Sequence, residues 1–168
     1  LNAFNGEYLR MLPLEQFIEA CQPGLMADGV PWLRERFDAN VFRAMAPLVQ
    51  TRVAVLSEVP ALVDFLFMDD PPIDDAAFTK AFSSDWALTT LAEIATRFGS
   101  CVWTADALKS EVEAVGAQHD VKLGKLQGPL RIAITGRSDG TPLFEPIELL
   151  GRDESLRRVN SAVQRASR

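Results

Sequence analysis

The chain has 168 residues, 48% of them hydrophobic and 24% charged, with a net charge of −6. This is enough for one domain or two small subdomains around a core, and the balance excludes a disordered or fibrous chain. No apolar run approaches the roughly 18 residues of a membrane span, so no membrane partner is expected. No signal peptide opens the chain, and a start on Leu1 reads as a fragment.

In chain order, Pro13 fits the first position of a helix that carries Leu14, Phe17 and Ile18 on one face and ends at Pro23-Gly24. A short helix is expected from Pro31 through Arg36. From Asp38, Val41, Met45 and Leu48 follow helical spacing, and Pro47 predicts a kink or junction inside that run. Pro71-Pro72 breaks the pattern among Asp69, Asp70, Asp74 and Asp75. Those four acids lack calcium-loop spacing and read as a solvated linker with a helix-capping Asp, so no metal is expected.

A second helical series follows. Ser84 caps a helix with a Leu88, Leu91, Ala95, Phe98 stripe ending at Gly99. Trp103-Thr104 starts the next, with Leu108, Val112 and Val115 inward. After Gly151 the last helix places Asp153 and Glu154 in its first turn and Arg165 and Arg168 near its end, as the macrodipole favours. Strand alternation is weak, with Arg131–Thr135 the only contender. The fold class is all-α, in two consecutive helical subdomains: residues 13–70 and 71–168, preceded by a tail at 1–12.

Charge is unevenly spread. From Lys122 onward nine Lys/Arg face five acids, a net +4, so the preceding residues carry −10. That asymmetry suits a polyanion-facing end on an acidic body, although a charged terminal helix on any protein would give it too. Cys21 and Cys101 are far apart, without a CxxC pair and with His119 as the one histidine. A disulfide framework or zinc site is therefore not expected, and a reducing cytoplasm is.

The most informative stretch is VKLGKLQGPLRIAITGRSDGTPLFEPIELLG, from Val121 to Gly151. It combines Lys122, Lys125 and Arg131 with an apolar run, a Gly136–Gly140 turn carrying Arg137, Pro142 and Pro146, and a helix end at Gly151. Backbone fixed by Gly and Pro, with guanidinium groups beside apolar ones, can hold phosphates and splayed bases of single-stranded nucleic acid.

This stretch resembles the C-terminal anticodon-binding region of bacterial glutamyl-tRNA synthetase, a class I aminoacyl-tRNA synthetase. KLGKLQGPLRIAITG, PLFE and LLGRDESLRRV match the family's pattern in order and spacing; the departure is Gly128, where Gln directly before Pro is expected. The resemblance extends to the opening FNGEYLR, to Leu48-Val-Gln-Thr-Arg52 with Leu56-Ser-Glu58, and to Leu66-Phe-Met-Asp-Asp70. It implies a tRNA for glutamate as partner, no DNA, a monomer, and a ligase that attaches glutamate to its tRNA with ATP and Mg²⁺. Neither cofactor is expected on this chain.

The resemblance implies that Arg52 separates glutamate from glutamine tRNAs and that Arg131 and Leu143 contact neighbouring unstacked bases. Phosphate contacts are assigned to Lys122, Lys125, Arg137, Arg157 and Arg158, each as readily a solvated surface cation. Arg52 has a structural alternative, a helix-end salt bridge to Glu58 or Asp64.

No catalytic residues are expected. His119 does not sit in a HIGH-type context, and Lys122-Leu-Gly-Lys125 lacks the serine of a lysine loop and the glycine spacing of a P-loop. The competing reading is a helical protein–protein interaction module, or a synthetase appendage without RNA contact. Its support is the acidic first two-thirds and the aromatic residues Trp32, Trp86 and Phe144.

Overall fold

The described residues, 6–168 in a computed structural model, are helices and turns without a strand. Phe4 and Asn5 of the opening motif lie outside them. Close contacts divide the chain into two units, Leu1–Pro71 and Pro72–Arg168.

The first unit contains α1 (Gly6–Met11), α2 (Leu14–Leu25), α3 (Ala39–Gln50) and α4 (Val59–Val63), with single 3₁₀ turns at Arg34–Arg36 between α2 and α3, at Leu56–Glu58 between α3 and α4, and at Asp64–Leu66 after α4. α2 packs on α3 and α4. Their inward stripes are Phe17, Ile18, Cys21 and Leu25 on α2, and Phe42, Met45, Ala46 and Val49 on α3. Asp38 starts α3 by accepting from the N–H groups of Asn40 (2.9 Å) and Val41 (3.2 Å). Burial pushes the Cys21 thiol up to about 12, which leaves it an inert apolar group.

Local expectations are corrected here in three places. Pro13 stands at the N-cap, one position before the first turn, and α2 runs past Pro23 to Leu25. The helix expected from Pro31 is only the turn Arg34–Arg36. Trp32 is instead drawn into an aromatic cluster, with ring centroids 5.3 Å from Phe67 and 6.4 Å from Phe37. α3 continues through Pro47 to Gln50, so of the kink or junction expected there the junction is absent.

The second unit contains α5 (Asp75–Ala81), α6 (Asp85–Phe98), α7 (Ala105–His119), α8 (Leu123–Thr135), α9 (Phe144–Leu150) and α10 (Arg152–Ala166). α10 lies across α6, α8 and α9, while α7 fills the space beside α6, α8 and α9. Leu91, Ile94, Phe98, Leu108, Val112, Val115, Leu130, Ile134 and Val159 are each at most 1% exposed and form the core. Thr104 caps α7 through its hydroxyl, which accepts from the Ala107 N–H at 3.2 Å. Asp74 caps α5 in the same way through its carboxylate, at 2.9 Å.

The one strand contender, Arg131–Thr135, is the last part of α8. A run of Leu130, Ile132, Ala133 and Ile134 is buried all round, because α8 is packed by α5, α6, α7 and α10. A helix buried on every face loses its 3.6-residue signature, and its β-branched residues imitate a strand.

Candidate nucleic-acid interface

Arg52 stands two residues beyond α3, in the first unit, and its side chain is exposed. Its backbone is fastened on both sides. Gln50, 9% exposed, donates from Nε2 to the carbonyls of Leu9 (2.7 Å) and Leu12 (2.9 Å), tying the helix end to the α1–α2 junction. On the far side, the Glu58 carboxylate accepts from the N–H groups of Ala54 (2.7 Å) and Val55 (2.9 Å). Those bonds, from Val55 and then Ala54, hold the Glu58 carboxyl below its usual range. Glu58 is thus used by the turn, and no side-chain hydrogen bond or ion pair of Arg52 occurs among the described residues. A rigid backbone presenting an arginine to solvent is the arrangement expected of a group that reads a ligand.

In the second unit, α8 and the loop after it carry the other candidates. Gly136 closes α8 in the left-handed conformation, φ +79°, with its N–H on the Ile132 carbonyl at 2.9 Å. Its own carbonyl accepts from the Asp74 N–H at 2.9 Å. The buried Thr135 hydroxyl donates to the Arg131 carbonyl (2.9 Å) and accepts from the Arg137 N–H (3.2 Å). Arg131, half-buried, reaches over the loop and donates from Nη1 to the Thr141 carbonyl at 2.7 Å. The loop that bears Arg137 is therefore pinned to α8 by its own arginine. Lys122, at the N-cap of α8, and Lys125, in its first turn, are exposed.

Two expected site residues are corrected. Arg158 is 5% exposed; its Nη1 donates to the Ile134 carbonyl at 2.7 Å and its Nε to Glu154 at 2.7 Å. A guanidinium fixed inside the unit cannot also meet solvent phosphate, so it joins α10 to the end of α8 instead. Leu143 is 2% exposed, anchoring the start of α9, and its side chain is closed to an unstacked base. Arg157 is exposed but shared with Glu154 in a forked contact at 2.7 and 3.0 Å. Burial raises the Glu154 carboxyl, and the hydrogen bonds from Arg157 and Arg158 outweigh this and hold it below the usual carboxylate range.

The aromatic residues offered for protein docking divide. Trp32 and Phe144 are each 7% exposed and belong to the interior, whereas Trp86 is half-buried. The residue missed by sequence reasoning is Lys80, on α5, which lines a groove together with Lys125 and Trp86. Nothing in the sequence pairs Lys80 with Lys125; the packing of α5 on α8 does.

A family profile described as "Anticodon binding domain" matches residues 16–163. This chain belongs to the anticodon-binding-domain family. Among its relatives, a glutamate–tRNA ligase of Frankia casuarinae is 50% identical over 98% of the chain, and one of Salinispora arenicola is 49% identical over 96%. The chain spans 35% of the length of each of those proteins. A crystal structure of a glutamate tRNA ligase from Elizabethkingia meningosepticum superposes with a TM-score of 0.76 at 21% identity, over 97% of this chain and 31% of that one. The anticodon-binding fold is thereby established for the chain. No described helix is long and apolar enough to cross a membrane.

Proposed function

We propose that this anticodon-binding domain reads the anticodon loop of a glutamate tRNA, and that Arg52 carries the discrimination against glutamine tRNA. The observation that supports this is Arg52 itself, exposed and without a side-chain partner among the described residues, on backbone clamped by Gln50 and Glu58. The two tRNAs differ at the third anticodon base, cytosine against guanine. An arginine can donate to the O2 and N3 acceptors of cytosine, whereas the N1 and N2 donors of guanine oppose it. The full protein is a ligase joining glutamate to that tRNA with ATP and Mg²⁺, bound outside this chain, and it works as a cytoplasmic monomer.

Arg131 orients the 136–141 loop and lies beside an adjacent base. Lys122, Lys125 and Arg137 hold phosphates. Three phosphate contacts give binding that weakens with salt. The slope of log affinity against log salt is expected to be about −2, at roughly 0.7 per phosphate on a single strand. A titration of glutamate tRNA at several salt concentrations checks it. A slope near zero rejects RNA contact and favours docking on an apolar surface. Replacing Lys122 by Gln should flatten the slope by roughly 0.7, while Arg158→Lys, at a buried position, should leave it unchanged.

A further inference from the structure

The groove beside α8 shares only Lys125 with the residues assigned above. Ala77, Lys80 and Trp86 line it from the α5–α6 side and Lys125, Pro129 and Ile132 from α8, enclosing about 390 Å³. That is within the roughly 300–1,000 Å³ of sites that take small organic groups. Lys125, Gly128, Pro129 and Ile132 recur at i, i+3, i+4 and i+7, so α8 turns a single face to it. Gly128 leaves the floor open: a Cβ there meets no atom within 4 Å.

The chemistry of the walls is specific. Trp86 is half-buried, so part of its indole stays accessible, whereas Pro129 and Ile132 are buried and close the groove on the α8 side. Lys80 and Lys125 are exposed at the rim, and no acidic side chain lines the groove. The Ser84 and Ser138 hydroxyls complete the polar edge. Ser138 directly follows Arg137, so the groove is continuous with the loop that Arg131 pins.

Resting on the RNA-binding reading above, we propose that this groove takes one unstacked nucleotide of the bound RNA. The base lies against the Trp86 indole, and the phosphate sits between the Lys80 and Lys125 ammonium groups. Stacking on an aromatic face suits any base, and paired cations suit the phosphate that must accompany it. A carboxylate peptide would use the lysines but leave the indole face without a planar partner. A free nucleotide shares the same chemistry, and the experiment separates the two.

Affinity for the anticodon stem-loop of glutamate tRNA is measured by fluorescence anisotropy with the whole chain and four variants. Trp86→Ala should weaken binding about fivefold to a hundredfold, the range for losing one stacked base. Trp86→Phe should keep most of the affinity, because it keeps an aromatic face. Gly128→Leu should fill the groove and weaken binding while leaving the melting temperature intact, since its side chain enters open space. Lys80→Gln, at a cation the anticodon reading does not count, should flatten the salt slope by roughly 0.7.

If Trp86→Ala, Gly128→Leu and Lys80→Gln bind like wild type while Arg52→Ala loses its tRNA preference, the groove proposal is overturned and the anticodon reading stands. If the wild-type chain shows no salt-sensitive RNA binding, both fall. Cytidine monophosphate serves as the free-nucleotide probe. If it binds in a Trp86-dependent way while RNA affinity ignores all four variants, the groove is a small-molecule site and the RNA assignment is overturned.

Discussion

Arg158→Ala is expected to destabilise the unit Pro72–Arg168 by about 3 kcal/mol, read as a lowered denaturant midpoint. Arg158 is the guanidinium that fixes α10 to the end of α8. Its loss leaves the Ile134 carbonyl, at the end of a buried helix, without that donor, which costs about 1–3 kcal/mol. The emptied volume adds to this, because the side chain is only 4% exposed. Glu154 retains Arg157, so the effect stops short of an orphaned buried charge, about 3–5 kcal/mol. Arg157→Ala is the internal control: its pair with Glu154 is at the surface, and its removal should cost about 0–1 kcal/mol. Equal effects of the two substitutions would contradict the burial argument.

Gly136→Ala is expected to cost about 3 kcal/mol as well, for a different reason. The residue sits at φ +79°, where an L side chain is strained by about 1–2 kcal/mol. A Cβ would also lie 2.0 Å from the Pro72 carbonyl oxygen and 3.2 Å from the Ile73 Cα. Both are backbone atoms that a rotamer change cannot move, so the loop must shift, at a further cost of about 1–3 kcal/mol. That shift breaks the hydrogen bond from the Asp74 N–H to the Gly136 carbonyl, and with it the setting of Arg137. Gly124→Ala makes the comparison: no atom lies within 4 Å of its Cβ, and the change should stabilise α8 by about 0.5–1 kcal/mol. Thermal unfolding of both variants checks the contrast. A Gly136→Ala protein as stable as wild type would contradict the left-handed cap.

The all-α class was legible because most helices keep one apolar stripe and recognisable ends. Thr104, Asp74 and Gly151 mark boundaries by side-chain chemistry or backbone conformation that the sequence states directly. α8 was half-hidden because its neighbours surround it, so position along the helix no longer correlates with polarity. Pro23, Pro47 and Pro129 lie inside helices, where residue type alone predicts ends or kinks. The site shows the same division. Arg52, Lys122 and Lys125 are exposed cations at helix ends, as their setting implied. Arg157 and Arg158 are adjacent in sequence, yet one is at the surface and the other interior, because successive helix positions point about 100° apart. The resemblance implied a base contact for Leu143, but it stands at the N-cap of α9 and is buried by the packing of that helix. The meeting of Lys80 with Lys125 depends on tertiary packing alone.

The central claim rests on Arg52, and the most direct test is a paired titration of wild type and Arg52→Ala against glutamate and glutamine tRNAs at one fixed salt concentration. The wild-type chain should prefer the glutamate tRNA, and the variant should lose about 1–3 kcal/mol of that preference, the value of a good bidentate base contact. An unchanged preference in Arg52→Ala would contradict the assignment.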